Sequence, residues 1–116
     1  MLLVVPRNVA KPSTEQVYAA FDARRGAAGY EERHAALLAA LQHVNRPRDL
    51  AALPPNDLAS SPLARQLVAL GAFRADVTGA GPTLYGLFLH GRQARAAQKR
   101  ISAEGRTWLT APAWYR

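Results

Sequence analysis

Thr78-Gly79-Ala80-Gly81-Pro82-Thr83-Leu84-Tyr85-Gly86-Leu87-Phe88-Leu89 is the stretch on which the reading of this chain turns. Leu84 to Leu89 is an apolar run of strand length, bounded by Pro82 before it and His90-Gly91 after it, so it is expected in the middle of a sheet. The segment Ala72 to Thr78 reads as a short strand leading into it. Between the two strands, Gly79 and Gly81 flank a single alanine, which lets the backbone take dihedral angles closed to other residues and come close to another surface. Such a loop is either a bare hairpin or a cradle whose N–H groups accept an anion. A short glycine motif alone does not choose between them.

Working outward, Arg92 to Glu104 carries Ala94, Ala97 and Ile101 on one narrow apolar face and ends before Gly105, which reads as a helix stop. Arg106 to Ala111 supplies a last strand, and Pro112 ends it, leaving Ala113-Trp114-Tyr115-Arg116 as a tail. On the amino-terminal side, Ser61 is placed to cap a helix that begins at Pro62, buries Leu63, Leu67 and Leu70, and stops at Gly71. The spacing of Leu37, Leu38, Leu41 and Val44 predicts a helix over 31–44, with Glu31 and Glu32 where the helix dipole favours them. Asn45-Arg46-Pro47 and Pro54-Pro55-Asn56-Asp57 punctuate the chain after it. Ser13 and Gln16 have capping-box spacing for an earlier helix with Val17, Tyr18 and Phe21 on its apolar stripe, fading at Arg24-Arg25-Gly26. Met1 to Val5 reads as a buried strand, too short for a membrane span and without the cationic leader of a signal segment.

The order is strand, helices, two strands joined by a tight glycine loop, helix, strand. That pattern predicts an α+β, ferredoxin-like layered domain over residues 1–116, with an antiparallel sheet of about four strands and helices packed on one face. With 49% hydrophobic and 20% charged residues in 116, the chain has the means to fold around one core. It has no cysteine, so packing rather than disulfides or thiolate-bound metal must hold it together, and a cytoplasmic setting is expected.

The net charge of +7 is an arginine charge, since Lys11 and Lys99 are the only lysines among 15 basic residues. Arg92, Arg95 and Lys99 recur at helical spacing beside Arg100, which reads as a solvated basic face. No aromatic residue is interleaved there for base stacking, so a nucleic-acid partner is not expected. His34 and His43, nine residues apart on one helix, fall on opposite faces and cannot share a metal, and His90 stands alone. Trp108 and Trp114 read as core or interface side chains, and Asn56-Asp57 as a turn or helix cap. No Ser-His-Asp or paired-carboxylate arrangement emerges from the spacing.

Taken together, Leu2-Leu3-Val4-Val5-Pro6, Ser13-Thr14 with Val17-Tyr18, Asn56-Asp57-Leu58, and the stretch from Thr78 to Phe88 resemble the carboxy-terminal half of GHMP-type small-molecule kinases. Within that family the pattern is closest to the 4-diphosphocytidyl-2-C-methyl-D-erythritol kinases. The resemblance implies transfer of the γ-phosphoryl group of ATP to a hydroxyl of a cytidine diphosphate sugar-alcohol, in non-mevalonate isoprenoid biosynthesis, in a cleft between two domains. It places Thr78, Gly79, Ala80, Gly81, Pro82 and Thr83 at that cleft, supporting the phosphate loop and substrate, and Asn56 and Asp57 near it.

The family's glycine-serine-rich phosphate loop and its catalytic lysine and aspartate belong to the amino-terminal half, which this sequence does not match. ATP and Mg²⁺ are therefore implied for the complete kinase, not for this chain alone, and the missing amino-terminal domain is the expected partner. Two further departures are a shortened stretch between Asp57 and Thr78 and Ala59-Ser60-Ser61 in place of the usual acidic start. The rival reading is a non-catalytic basic module that keeps the fold and binds an anionic partner or a second copy of itself.

Overall fold

The computed structural model describes residues 1–112, so the tail with Trp114 lies outside the described residues. Four strands form one antiparallel sheet: β1 (Leu2–Pro6), β2 (Arg74–Val77), β3 (Leu84–Leu87) and β4 (Gly105–Leu109). Their order across the sheet is β2-β3-β1-β4, the split arrangement expected of a ferredoxin-like domain. Leu2 lies opposite both Gly86 and Leu109, so the apolar opening segment is a central strand, as is the Leu84 run.

Alternation along each strand sorts the side chains onto two faces. Leu2, Val4, Val77 and Leu84 point to one face and meet Leu63 and Leu67 of helix α3 (Pro62–Ala69) and Ala97 and Ile101 of helix α4 (Gly91–Ile101). Helix α3 begins as its sequence requires, with Ser61 Oγ accepting from the Leu63 N–H and Pro62 at the first position. Ala94, Ala97 and Ile101 are the buried residues of α4, whereas Arg92, Arg95, Lys99 and Arg100 all face solvent.

Helices α1 (Thr14–Ala23) and α2 (Tyr30–Gln42) occupy the predicted places but not the predicted environment. The Ser13 capping box forms in full, yet of the α1 stripe only Val17 is buried. In α2 no residue is buried, with Leu38 at 50% and Leu41 at 46% exposure. The physical reason is placement: α3 packs on β2 and β3 and α4 on β4, while α1 and α2 make no comparable contact with any strand. A 3₁₀ segment, Pro47–Ala52, follows α2 where the sequence suggested only a break.

Two local readings are corrected. Helix α4 ends at Ile101, and Gly105 is not its stop but the first residue of β4. A Cβ there would lie 2.3 Å from the Val5 carbonyl oxygen, so the residue is small because the two strands meet at that point. Trp108 is 48% exposed on β4, the sheet's edge strand, and is not a core residue.

Candidate functional site

The β2–β3 connection is a closed hairpin. The Thr78 N–H donates to the Thr83 carbonyl at 2.8 Å, the Thr78 hydroxyl donates to the same oxygen at 3.2 Å, and the Gly81 N–H donates to the Thr78 carbonyl at 2.8 Å. Gly79 has φ +51° and Gly81 φ +78°, the left-handed region that side chains resist, and the Gly81–Pro82 peptide is cis. A Cβ on Gly79 would meet nothing within 4 Å, but one on Gly81 would lie 3.0 Å from Val77 Cγ1. The close approach read from the sequence therefore belongs to Gly81. Of the three amides expected to donate to an anion, that of Gly81 is taken by Thr78, and those of Gly79 and Ala80 have no protein acceptor among the described residues.

Asn56 and Asp57 part company in the structure. The Asn56 side-chain amide donates to the carbonyls of Val77 (2.9 Å) and Gly79 (2.7 Å), and its Oδ1 accepts from the Leu58 N–H at 2.9 Å. One side chain thus ties the start of the glycine loop to the segment ahead of α3. Asp57 is exposed, 3.8 Å from the Arg33 guanidinium, and its carbonyl accepts from Arg24. Those contacts brace α1 and α2 and do not reach the loop.

Asn56 is itself held from behind. Its N–H donates to Asp76 Oδ2 at 2.7 Å, and Asp76, nearly buried, lies 3.7 Å from the Arg74 guanidinium. Arg74 donates through Nε to the Tyr85 hydroxyl and through its terminal nitrogens to the carbonyls of Leu50, Leu53 and Pro54. Both side chains stand on the sheet face opposite the core and strap the segment 50–56 across it. The sequence reading passed over this pair, although opposite charges two apart on a short strand, Arg74-Ala75-Asp76, were there as a signal.

Beside the loop lies a cavity of about 410 Å³, between α1, the segment 58–62 and the loop residues Ala80, Gly81 and Pro82. Its walls are mostly aliphatic, with Val9, Val17, Leu58 and Val77 prominent, and among the described residues no charged side chain lines it. A nucleoside triphosphate and Mg²⁺ do not fit this wall, which offers no cation for phosphate oxygens and no carboxylate for a metal. Among the described residues there is no group of three or more His, Asp or Glu side chains able to hold a metal ion. His34 stacks on Tyr30, and His43 caps α2. No helix among the described residues is long and apolar enough to cross a membrane.

The four-stranded antiparallel sheet, with α3 and α4 packed against it, defines a ferredoxin-like α+β domain. The family described as GHMP kinases C terminal matches residues 31–107, well over half of the chain, and the chain belongs to that family. No curated protein and no solved structure matches it.

Proposed function

We propose that this chain is the substrate-side wall of a GHMP-type kinase that phosphorylates a hydroxyl of a cytidine diphosphate sugar-alcohol, with ATP and Mg²⁺ held by an amino-terminal partner domain. The observation that carries the reading is the glycine hairpin inside the family match. Gly79 and Gly81 both adopt positive φ, Asn56 fixes the loop from beneath, and the Gly79 and Ala80 amides have no protein acceptor among the described residues. Phosphoryl transfer rests on positioning and on donors aimed at developing charge, and a fixed loop with two spare N–H groups supplies both without a catalytic side chain.

The test is reconstitution. The chain alone is expected to show no ATP binding by calorimetry. Combined with an amino-terminal GHMP kinase half, it is expected to restore ATP-dependent phosphorylation of 4-diphosphocytidyl-2-C-methyl-D-erythritol. Micromolar ATP affinity of the chain alone, or no turnover of that substrate by a folded complex, counts against it. The exposed leucines of α2 and the solvent-facing basic side of α4 favour a second reading, a non-catalytic module that associates through these surfaces. It gains if the complex folds but turns nothing over.

A further inference from the structure

The cavity beside the glycine loop has a chemical character that the kinase reading does not by itself supply. The chain carries 15 lysine and arginine residues, yet among the described residues none of them lines this space. Its polar side chains are Gln16, Ser60 and Ser61. Gln16 Oε1 already accepts from the Ser13 N–H, and Ser61 Oγ accepts from the Leu63 N–H. What remains to a ligand is aliphatic wall, the Gln16 amide N–H groups, two hydroxyls and the Ala80 main-chain N–H, all of them neutral. A volume of about 410 Å³ falls within the range of small-molecule pockets. A phosphate placed there would lose its hydration against aliphatic carbon with no counter-charge, a cost that neutral donors do not offset.

We propose that this cavity seats an uncharged, largely apolar group carrying one hydrogen-bond acceptor, such as a small ring or short branched chain, and rejects phosphate. The sugar-alcohol and the cytidine of the substrate proposed above carry too many polar groups to be that occupant, so the proposal stands apart from the kinase reading.

The probes are cyclohexanol and cyclohexyl phosphate, the same ring with and without a dianion, titrated into the full chain and followed by amide-resolved NMR. Cyclohexanol is expected to shift the amides of Val17, Ala20, Ala59 and Ala80, with cyclohexyl phosphate at least about tenfold weaker. Filling the space from α1 with Ala20→Phe, or from the facing segment with Ala59→Leu, is expected to abolish the cyclohexanol response. Two variants on opposite walls guard against one failing to fold, which a thermal melt reports.

The proposal is overturned if the phosphate binds as well as the alcohol, if neither variant changes cyclohexanol binding, or if the alcohol gives no response up to its solubility. The kinase reading fails separately. Inert reconstitution with cyclohexanol still bound sinks that reading alone, whereas active reconstitution with no cyclohexanol response sinks only the cavity.

Discussion

The Asn56 side-chain amide donates to the Gly79 carbonyl at 2.7 Å, which ties the glycine loop to a residue more than twenty positions earlier in the chain. The same amide holds Val77, and Oδ1 holds Leu58, so the two ends of this side chain can be tested apart. Asn56→Asp keeps the acceptor for Leu58 but sets a carboxylate against two carbonyls, and it is expected to cost about 2–3 kcal/mol by denaturant melt. Hydrogen exchange should stay slow at Leu58 in Asn56→Asp and become fast in Asn56→Ala. Equal exchange in the two variants would show that the side chain does not divide its work this way.

Gly79 and Gly81 share a backbone region but not a neighbourhood. Gly79→Asn meets open space, in a conformation asparagine tolerates, and should cost under about 1 kcal/mol. Gly81→Val adds contact with Val77 to the same backbone strain, so a loss of about 2 kcal/mol is expected. In a reconstituted kinase Gly81→Val should cut turnover by far more than its stability loss explains. Unchanged turnover would make the loop a hairpin only.

Arg74 and Asp76 are mostly buried, and removing one partner strands the other. Arg74→Met is expected to destabilise the chain by about 3 kcal/mol, because it leaves the Asp76 carboxylate unpaired and frees the carbonyls of Leu50, Leu53 and Pro54. Arg74→Met with Asp76→Leu should recover part of that loss. A double variant less stable than Arg74→Met alone would argue that the pair contributes more than the relief of a stranded charge.

Asp49 accepts from the N–H groups of Asn45 and Arg46, and these bonds hold its carboxyl below the usual carboxylate range. A folded pKa lower than the unfolded one gives stabilisation that is present above the unfolded value and is lost as pH falls through the folded value. The turn before Pro47–Ala52 should therefore loosen under acid, which an NMR titration of the Asn45 and Arg46 amides would report. Asp49→Asn should flatten that pH dependence, and a carboxyl titrating at or above its ordinary value would refute it.

Helix α2 presents Leu38 and Leu41 to solvent on a chain of net charge +7. Apolar contact favours association while like charge opposes it, so self-association in sedimentation should increase with salt. Leu38→Glu with Leu41→Glu should remove it. A wild-type chain that stays monomeric at high salt and high concentration would show that this face does not pair with itself.

The elements that were legible in the sequence are those specified by near neighbours. Ser13 and Gln16 satisfy one another within one turn, Ser61-Pro62 starts α3 by local geometry, and Leu84 to Leu87 is apolar enough to be a strand wherever it lies. Which helix stripes are buried depends on what stands opposite, and for Tyr18, Leu38 and Leu41 nothing among the described residues does. The strap from Arg74 to residues 50–54 joins a strand to main-chain carbonyls, which carry no side-chain pattern to read. Asn56 looked like a turn residue for a related reason. Its short-range bond to Leu58 has a sequence signature, whereas its bonds to Val77 and Gly79 do not.

β1 takes one neighbour from the middle of the chain and the other from its far end, with Leu3 opposite both Tyr85 and Trp108 and the Met1 amino group donating to the Thr110 carbonyl. Within this domain the strand is synthesised before both of its neighbours, and its pairing is completed last. The stretch from α3 to α4 can gather around its own hairpin by short loops, but β1 must wait through the synthesis of nearly everything else before β4 closes over it. Until then the edge of β1 that β4 will cover stays available to other chains. A nascent chain stalled before Gly105 would thus be a far better chaperone client than the finished protein.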